Sequence, residues 1–301
     1  MANWPLSNNQ YQDFLTLSNC NNCLITGGGL IDGQGTPWYI AFDNGELDYR
    51  RPNLLVIKKC VDLKLLDIDI LNSPMFNVVL SGVKGAEIGF VNITDEWYND
   101  GASEPHNTDG IDPGSDSAGI HIHDVYIYNG DDSVAVKPGT IAGGCTRDIL
   151  VENCEFHRGH GASIGSIGSG CIQNVTFRNI TFYDQMGAVV VKTYNEDVGF
   201  VKNITWKDLV MYNTDHCVNI NTNYKTTGNP PQLLISGLNL VNIVGDKCAY
   251  PAHFVCQMEK PCMDISLVNV DLLKNAKEKT MLCEYAHGTA HSVQPSSCLL
   301  P

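Results

Sequence analysis

The chain repeats one pattern of hydrophobic and polar positions eight times, apolar-x-apolar-x-x-apolar-x-apolar. In every copy the residue before the third apolar position is Asn, Asp or Gly, the residue types that most readily adopt a left-handed backbone. Short alternating strands that meet at such corners, at spacings of 25 to 32 residues, are typical of the coils of a solenoid. The copies begin at Leu63, Ile88, Ile120, Ile149, Val175, Ile204, Leu233 and Ile265, and their corner residues are Asp67, Asn92, Asp124, Asn153, Asn179, Asp208, Gly237 and Asn269.

The pattern predicts an all-β solenoid in a single domain over residues 1–301, because it runs nearly end to end without a linker. The repeats are rich in Val, Ile, Thr, Tyr, Asn and Gly, and an apolar content of 43% is sufficient for the inward faces of a stacked core. Equivalent positions of successive coils would lie about 4.8 Å apart. Residues at the same phase of the coil therefore become neighbours, and a functional site can be sought by phase.

Charge and hydropathy exclude some classes of partner. The formal net charge of −14 and the pI near 4.9 argue against nucleic acid. Such a surface would also repel a polyanionic sugar unless basic residues concentrate in a groove. No stretch approaches about 18 consecutive apolar residues, so no membrane span is predicted. The first residues, MANWPLSNNQ, do not have the pattern of a secretory signal peptide.

Twelve cysteines favour an oxidising, extracellular compartment. Two local disulfides are predicted in the irregular C-terminal region, Cys256 with Cys262 and Cys283 with Cys298. Cys60, Cys154 and Cys217 could instead be buried free thiols, an interpretation that we expect to hold for Cys154, because it occupies an inward repeat position. The CxxC at Cys20 and Cys23 lacks a second pair at zinc-finger spacing, so we expect no metal there. Asn-x-Ser/Thr triplets begin at Asn92, Asn174, Asn179 and Asn203, but corner geometry already explains two of them, which makes them weak evidence of glycosylation.

Phase selects the candidate catalytic residues. Asp131 and His160 each lie 11 residues after the start of their repeats, so they should face each other on adjacent coils. Asp132 follows Asp131 directly, and the longer coil before them brings Asp109 to the same face. Lys192 on the following coil and Tyr224 one coil later extend the same stripe. Strict strand alternation would separate Asp131 from Asp132, so both serve one site only if a bulge or turn interrupts the strand there.

A group of carboxylates is what glycosidic hydrolysis requires. One carboxyl must be protonated to assist the leaving oxygen, and another must be ionised to activate water. Like charges held close together raise at least one pKa, which keeps a proton available below neutral pH. The glycine-rich run around GHG at 159–161 would let a large ligand approach the backbone closely.

At these residues the chain resembles the polygalacturonases, glycoside hydrolases of family 28, whose fold is a single-stranded right-handed parallel β-helix. The resemblance rests on NTDG at 107–110, GDD at 130–132, GHG at 159–161 and Lys192, in the family's order and spacing, and extends from about Gly28 to the C-terminal cysteines. It implies that Asp131 is the general acid, that Asp109 and Asp132 hold and activate water, and that His160 supports the acid. It further implies that Asn107, Lys192 and Tyr224 bind substrate and that the reaction inverts the anomeric carbon.

The chain departs from the family pattern at two places. The family's Arg-Ile-Lys is replaced by Val190, Val191 and Lys192, and losing a charge-assisted contact to a uronate would weaken binding by about 1–3 kcal/mol. Ser133 and Phe156 stand where the family often has a disulfide, so the resemblance implies a dropped bridge. Upstream coils and the family's N-terminal cap are expected to be missing unless residues 1–30 replace them.

The sequence favours a monomeric, secreted polygalacturonase that cleaves homogalacturonan internally, without a cofactor or a catalytic metal. Cleavage from a chain end, or of a substituted pectic backbone, stays open because of Val190. A β-elimination lyase with Ca²⁺ on the aspartates is a second enzyme class, but it lacks an arginine base. A non-catalytic β-helix that binds oligogalacturonides is the third hypothesis.

Overall fold

The structure, a computed structural model, describes residues 4–7, 10–98, 105–194, 198–225 and 232–301. Parallel strands wind into a β-helix with two long sheets, which confirms the predicted fold class. The first sheet contains β3 (Leu15–Ser18), β6 (Leu55–Lys58), β8 (Val78–Ser81), β10 (Ile111–Gly114), β13 (Val134–Val136), β15 (Ala162–Ile167), β17 (Gly187–Tyr194), β19 (His216–Lys225), β21 (Tyr250–Val255) and β23 (Leu282–Glu284).

The second sheet faces the first across the core. It contains β4 (Asn21–Ile25), β5 (Gly29–Asp32), β7 (Val61–Leu71), β9 (Lys84–Thr94), β11 (Ala118–His123), β12 (Tyr126–Asn129), β14 (Thr146–Arg158), β16 (Gly170–Tyr183), β18 (Val198–Tyr212), β20 (Gln232–Asp246), β22 (Cys262–Lys274) and β24 (Ala286–Gln294). Each strand pairs in parallel with its counterpart on the next coil, as in the buried column of Ile149, Val175 and Ile204. Alternation along these strands sends one residue set inward, which forms a continuous apolar core.

Left-handed corners occur where the sequence predicts them in seven copies: Asp67, Asp124, Asn153, Asn179, Asp208, Gly237 and Asn269. The frame of the copy at Ile88 was wrong, because Ala86 pairs with Leu63 and the left-handed corner is Phe90, not Asn92. The copy at Leu233 is also displaced, since Leu238 is the residue that pairs with Ile204.

Two left-handed corners within one long strand explain the displaced frame at Leu233. In β18 they are Asn203 and Asp208, and in β20 they are Gly237 and Asn242. The register places Gly237 beside the first of these corners and Asn242 beside the second. Similar apolar spacing precedes both corners. The sequence pattern alone therefore cannot show which corner of one coil matches which corner of the next.

Five disulfides tie the coils together. The two C-terminal bridges, Cys256–Cys262 and Cys283–Cys298, are confirmed, and Cys154 is a buried free thiol as expected. The interpretation of Cys60 and Cys217 as free thiols was wrong, because they pair with Cys20 and Cys248. The remaining bridge joins Cys145 to Cys171. These three bridges link residues 40, 31 and 26 positions apart, which is about one coil, so phase brings their partners together.

The N-terminal part of the described chain adds a coil and a short helix. Strands β3 to β5 stack on β6 and β7, and β1 (Leu6–Ser7) pairs antiparallel with β2 (Gln10–Tyr11). Helix α1 (Thr36–Asp43) begins with Pro at its first turn, where a missing N–H has no consequence. Its Trp38 and Tyr39 are buried, and the Tyr39 hydroxyl donates to the Ser73 carbonyl at 2.6 Å. Among the described residues no helix has the length and hydropathy to cross a bilayer.

Candidate active site

A cavity of about 270 Å³ opens on the first sheet, and every residue predicted for the site lines it. The predicted residues are Asn107, Asp109, Asp131, Asp132, His160, Lys192 and Tyr224. Sequence reasoning missed four further wall residues, which are Phe76, Lys137, Ser166 and Tyr194.

Turns that precede neighbouring strands bring these side chains together. The NTDG turn leads into β10, the GDD turn into β13 and the GHG turn into β15. The His160 amide donates to the Asp131 carbonyl at 2.7 Å, which fixes the two turns side by side. Both Asp131 and Asp132 face the cavity because they lie in a turn before β13, so the predicted interruption of strand alternation is present.

Gly159 is required by this stacking. Its φ is +62°, and a Cβ there would collide with the Asn129 side chain and the Asp131 carbonyl. A larger residue would therefore push the histidine turn away from the carboxylate that it contacts.

Asp131 is held on both carboxylate oxygens. His160 Nδ1 lies 3.0 Å from Oδ1, the Asp132 amide donates to Oδ1 at 2.8 Å, and Asn107 Nδ2 donates to Oδ2 at 3.1 Å. Burial raises the pKa of Asp131, but the hydrogen bond and charge of His160, together with the charges of Lys192 and Lys137, outweigh burial and hold that pKa well below its ordinary range. For His160 burial lowers the pKa, and Asp131 more than reverses this. In the free protein, a proton shared by the pair therefore lies mainly on His160.

Two lysines neutralise the other carboxylates. Lys137 Nζ lies 2.9 Å from Asp109 Oδ2 and 3.8 Å from Asp132 Oδ2, and Lys192 Nζ lies 2.9 Å from Asp132. Asp109 and Asp132 are almost completely buried, so their charges need such partners. The Ser163 hydroxyl also donates to Asp132 at 2.6 Å. Lys137 is the main functional residue that sequence reasoning missed.

Asp112 lies behind this group and is also buried. Its nearest cation is Lys137, with Nζ 3.8 Å from Oδ2, and in the described chain neither carboxylate oxygen has a hydrogen-bond partner. Burial, followed by the charge of Asp109, raises the pKa of Asp112 well above its ordinary value. Burial also raises the pKa of Asp109 to about 6, although Lys137 opposes this. A raised carboxyl pKa was expected from the crowding of like charges, but burial is the larger cause of both shifts and the neighbouring aspartates only add to it.

Both departures from the family pattern are at buried positions. Val190 is 7% exposed and does not line the cavity, so nothing at that position replaces a guanidinium. Ser133 and Phe156 are fully buried, and Phe156 packs edge-on against Phe182 with ring centroids 5.5 Å apart. An aromatic contact thus occupies the place of one half of the missing bridge.

Comparison with known proteins gives this geometry a family context. The model for "Glycosyl hydrolases family 28" matches residues 3–298. An exopolygalacturonase of Rhizopus delemar is 30% identical over 286 residues, covering 90% of this chain and 70% of its own length. A probable exopolygalacturonase B of Emericella nidulans is 28% identical, with 88% of this chain and 64% of its own length covered. The chain thus spans about two-thirds of the length of these relatives.

Two solved structures have the same fold as this chain. A polygalacturonase from Erwinia carotovora superposes with a TM-score of 0.73 at 26% identity, covering 94% of this chain and 75% of the other. An endo-xylogalacturonan hydrolase from Aspergillus tubingensis has a TM-score of 0.81 at 23% identity over 92% and 78% of the two chains, which shows the shared fold. With the family match across nearly its whole length, the chain belongs to the glycosyl hydrolases of family 28.

Proposed function

We propose that the protein hydrolyses α-1,4-galacturonosyl linkages in the pectic polysaccharide homogalacturonan, and that it does so as a secreted monomer. One observation carries the proposal. An imidazole–carboxylate pair that shares a proton, Asp131 and His160, lies in the same cavity as two lysine-bound carboxylates, Asp109 and Asp132. This combination provides a proton donor for the leaving oxygen and ionised groups for the attacking water.

Asp131 is the proposed general acid. When a uronate binds beside Lys192, its negative charge offsets that of Lys192, which adds to His160 in lowering the Asp131 pKa. The shared proton then moves from His160 Nδ1 to Asp131 and from there to the glycosidic oxygen as the bond to the anomeric carbon breaks. His160 is thus the reservoir for the proton that Asp131 delivers.

Asp109 and Asp132 are the proposed water-activating carboxylates. The water oxygen attacks the anomeric carbon, and one of these carboxylates accepts the proton that it loses. Lys137 and Lys192 offset the charges of these carboxylates in a buried environment. Lys192 Nζ also lies 5.8 Å from the centre of the Tyr224 ring, so these two residues form one wall for the substrate, with Asn107 opposite.

Inversion is part of the proposal, and its support is the family resemblance. Ligand atoms of Asp131, Asp132 and His160 lie within 4.8 Å of one another. The usual separation of catalytic carboxyls in inverting glycosidases is about 6.5–9.5 Å, so spacing alone favours a double displacement. Proton NMR of the first product settles the question. Inversion requires the β-anomer to appear before mutarotation, whereas initial α-anomer overturns it.

Internal cleavage is the proposed mode, because wall residues and cavities lie on both sides of Asp131 and leave room for sugars in both directions. Cleavage from a chain end is the second candidate, because Phe42 of α1 and the segment 45–51 wall the neighbouring cavity beside Asn107. Relatives named exopolygalacturonases are compatible with this second mode.

The charges of the residues in the cavity favour hydrolysis over calcium-dependent elimination. Asp131, Asp132 and His160 could in principle hold a cation, but Asp132 already lies 2.9 Å from the Lys192 ammonium. A divalent ion would have to displace Lys192 or repel it across the buried site. Formation of an unsaturated product that absorbs in the near ultraviolet would decide for elimination.

The test is a time course on homogalacturonan, xylogalacturonan and rhamnogalacturonan, with products separated by chromatography. Internal cleavage predicts a ladder of oligomers and an early fall in viscosity, and end cleavage predicts one short product. Asp131→Asn should abolish reducing-sugar release. A wild-type protein silent on all three polymers would instead support a binding role.

A further inference from the structure

A second cavity of about 390 Å³ adjoins the active-site cavity and shares one wall residue with it, Asn107. It lies on the far side of Asn107 from Lys192, between α1 and the turn that leads to β8. Its cationic wall is formed by Arg50 and Arg51, and its apolar wall includes Phe42, Tyr49 and Met75.

Arg51 is a buried cation with no carboxylate at salt-bridge distance among the residues that the structure describes. Only 4% of the residue is exposed, and Nη2 donates to the His106 carbonyl at 2.6 Å and to Asn107 Oδ1 at 3.3 Å. Its guanidinium lies over the Phe42 ring, 4.3 Å from the centroid. Among the described residues, Nη1 has no hydrogen-bond partner, and no acidic oxygen comes within 4.0 Å of either arginine.

Arg50 is exposed and stands between the two cavities. Its Cζ lies 4.7 Å from the centre of Phe76, which also lines the active-site cavity, and Nε donates to the Met75 sulfur at 3.0 Å. By contrast, Arg147 and Arg178 on the second sheet each contact an acidic side chain. In a chain with 14 excess negative charges, these two adjacent arginines concentrate positive charge at one cavity, and no described carboxylate lies within 4.0 Å of either.

We propose that Arg50 and Arg51 bind the carboxylate of the uronate unit on the opposite side of Asp131 from Lys192. The inference rests on the proposed function and identifies where the chain recognises acid groups in the absence of an arginine at Val190. Guanidinium groups match carboxylates in geometry, and a carboxylate would supply Nη1 with the acceptor that it lacks. Asn107 joins the two sites, because it accepts from Arg51 and donates to Asp131.

The experiment measures trigalacturonate binding by calorimetry in an Asp131→Asn background, which requires no turnover. Arg50→Gln should weaken binding about tenfold, and Arg50→Lys should restore part of the loss. A fully methyl-esterified trimer should bind the Arg50→Gln protein and its parent equally, since it carries no carboxylate. Arg178→Gln, which removes the same charge from the outer face of β16, is the matched control and should change nothing.

Arg51→Lys tests the buried partner, with thermal unfolding to confirm that the variant folds. Unchanged trigalacturonate binding in both Arg50→Gln and Arg51→Lys overturns the subsite, as does an equal loss for the esterified trimer. Lack of any trigalacturonate binding by the parent also overturns it. A wild-type protein that cleaves nothing, but whose trimer binding depends on Arg50, would refute the proposed hydrolysis and leave the carboxylate site standing.

Discussion

At the scale of single residues, the contact between His160 and Asp131 determines where the catalytic proton resides. Burial by itself would raise the pKa of the Asp131 carboxyl, and His160, with help from Lys192 and Lys137, reverses that shift. The pair therefore retains a proton up to the raised pKa of His160, above the ordinary value of 6.5. A general acid that must be protonated near neutral pH can thus have a low pKa of its own, provided that its partner carries the proton.

This arrangement predicts a bell-shaped pH profile for kcat/KM. Activity should fall below about pH 6, where Asp109 becomes protonated, and fall again as pH rises through the pKa of His160. His160→Asn leaves Asp131 to hold the proton alone, so the alkaline limb should move to lower pH and kcat should drop about 10²-fold. His291→Asn, at an exposed position on β24, is the control. An unchanged alkaline limb in His160→Asn would contradict the shared proton.

Lys137 supports a second prediction. Lys137→Met removes the cation nearest to Asp109 and Asp112, and an uncompensated buried charge should lower the free energy of unfolding by about 3–5 kcal/mol. The acid limb of kcat/KM should also move to higher pH, because Lys137 lowers the Asp109 pKa.

Adding Asp112→Asn to Lys137→Met separates structure from chemistry. The amide removes one buried acid, so stability at neutral pH should recover in part, while activity stays low because Asp109 still lacks its cation. Chemical denaturation and pH-rate profiles measure the two effects. If stability and activity recovered to the same extent, Lys137 would act only as a structural cation.

At the scale of coils, phase predicted the site well because the coil spacing is imposed by backbone hydrogen bonds. Asp131 and His160 are adjacent, and the same argument would have found the bridge between Cys217 and Cys248. Lys137 was not predictable in this way, since its role depends on a side chain that reaches from the end of β13 back toward Asp109. The long strands each contain two left-handed corners, so the sequence pattern did not show which corner the copy at Leu233 corresponds to.

Corner residues also hydrogen-bond from coil to coil. Asn179, with a φ of 51°, donates through Nδ2 to Asn153 at 2.7 Å, and the amides of the corner residues Asn174 and Asn203 make equivalent contacts. Asn92 is not at a left-handed corner, but its amide donates to Asp69 on the preceding coil at 2.8 Å. All four are the acceptor residues of Asn-x-Ser/Thr triplets. A glycan would attach to the same nitrogen and would leave it a single N–H, so modification would compete with this ladder for space and for donors.

The ladder predicts different effects for two substitutions. Asn179→Ala loses the hydrogen bond and also strains the left-handed backbone, so the free energy of unfolding should fall by about 2–3 kcal/mol. Asn179→Gly tolerates that backbone and should lose about 1 kcal/mol. Denaturant titration measures both, and Asn239→Ala, at a position without positive φ, is the control. A Gly variant no more stable than the Ala variant would show that conformation is not the reason for Asn at this corner.

At the scale of the whole molecule, the charge of the protein opposes the charge of the proposed substrate. The chain carries 14 excess negative charges, while the cations Lys137, Lys192, Arg50 and Arg51 are gathered along its two adjoining cavities. A long polyuronate is therefore repelled by the surface as a whole and attracted only where it enters the cleft. The repulsion by the surface acts over a longer distance than the attraction in the cleft, so varying the salt concentration distinguishes the two.

Salt weakens the long-range repulsion first, because the Debye length is about 10 Å at 0.1 M and the contacts inside the cavities are partly buried. Raising salt from about 10 to about 150 mM should increase kcat/KM on polygalacturonate severalfold through faster association. Trigalacturonate, with few carboxylates outside the cleft, should respond less, and a highly methyl-esterified polymer should not respond. Initial rates on the three substrates at matched pH measure this. A steady fall of polymer cleavage with salt would instead mean that the cations of the cleft dominate the approach of the chain, and that the acidic surface lies too far from its path to matter.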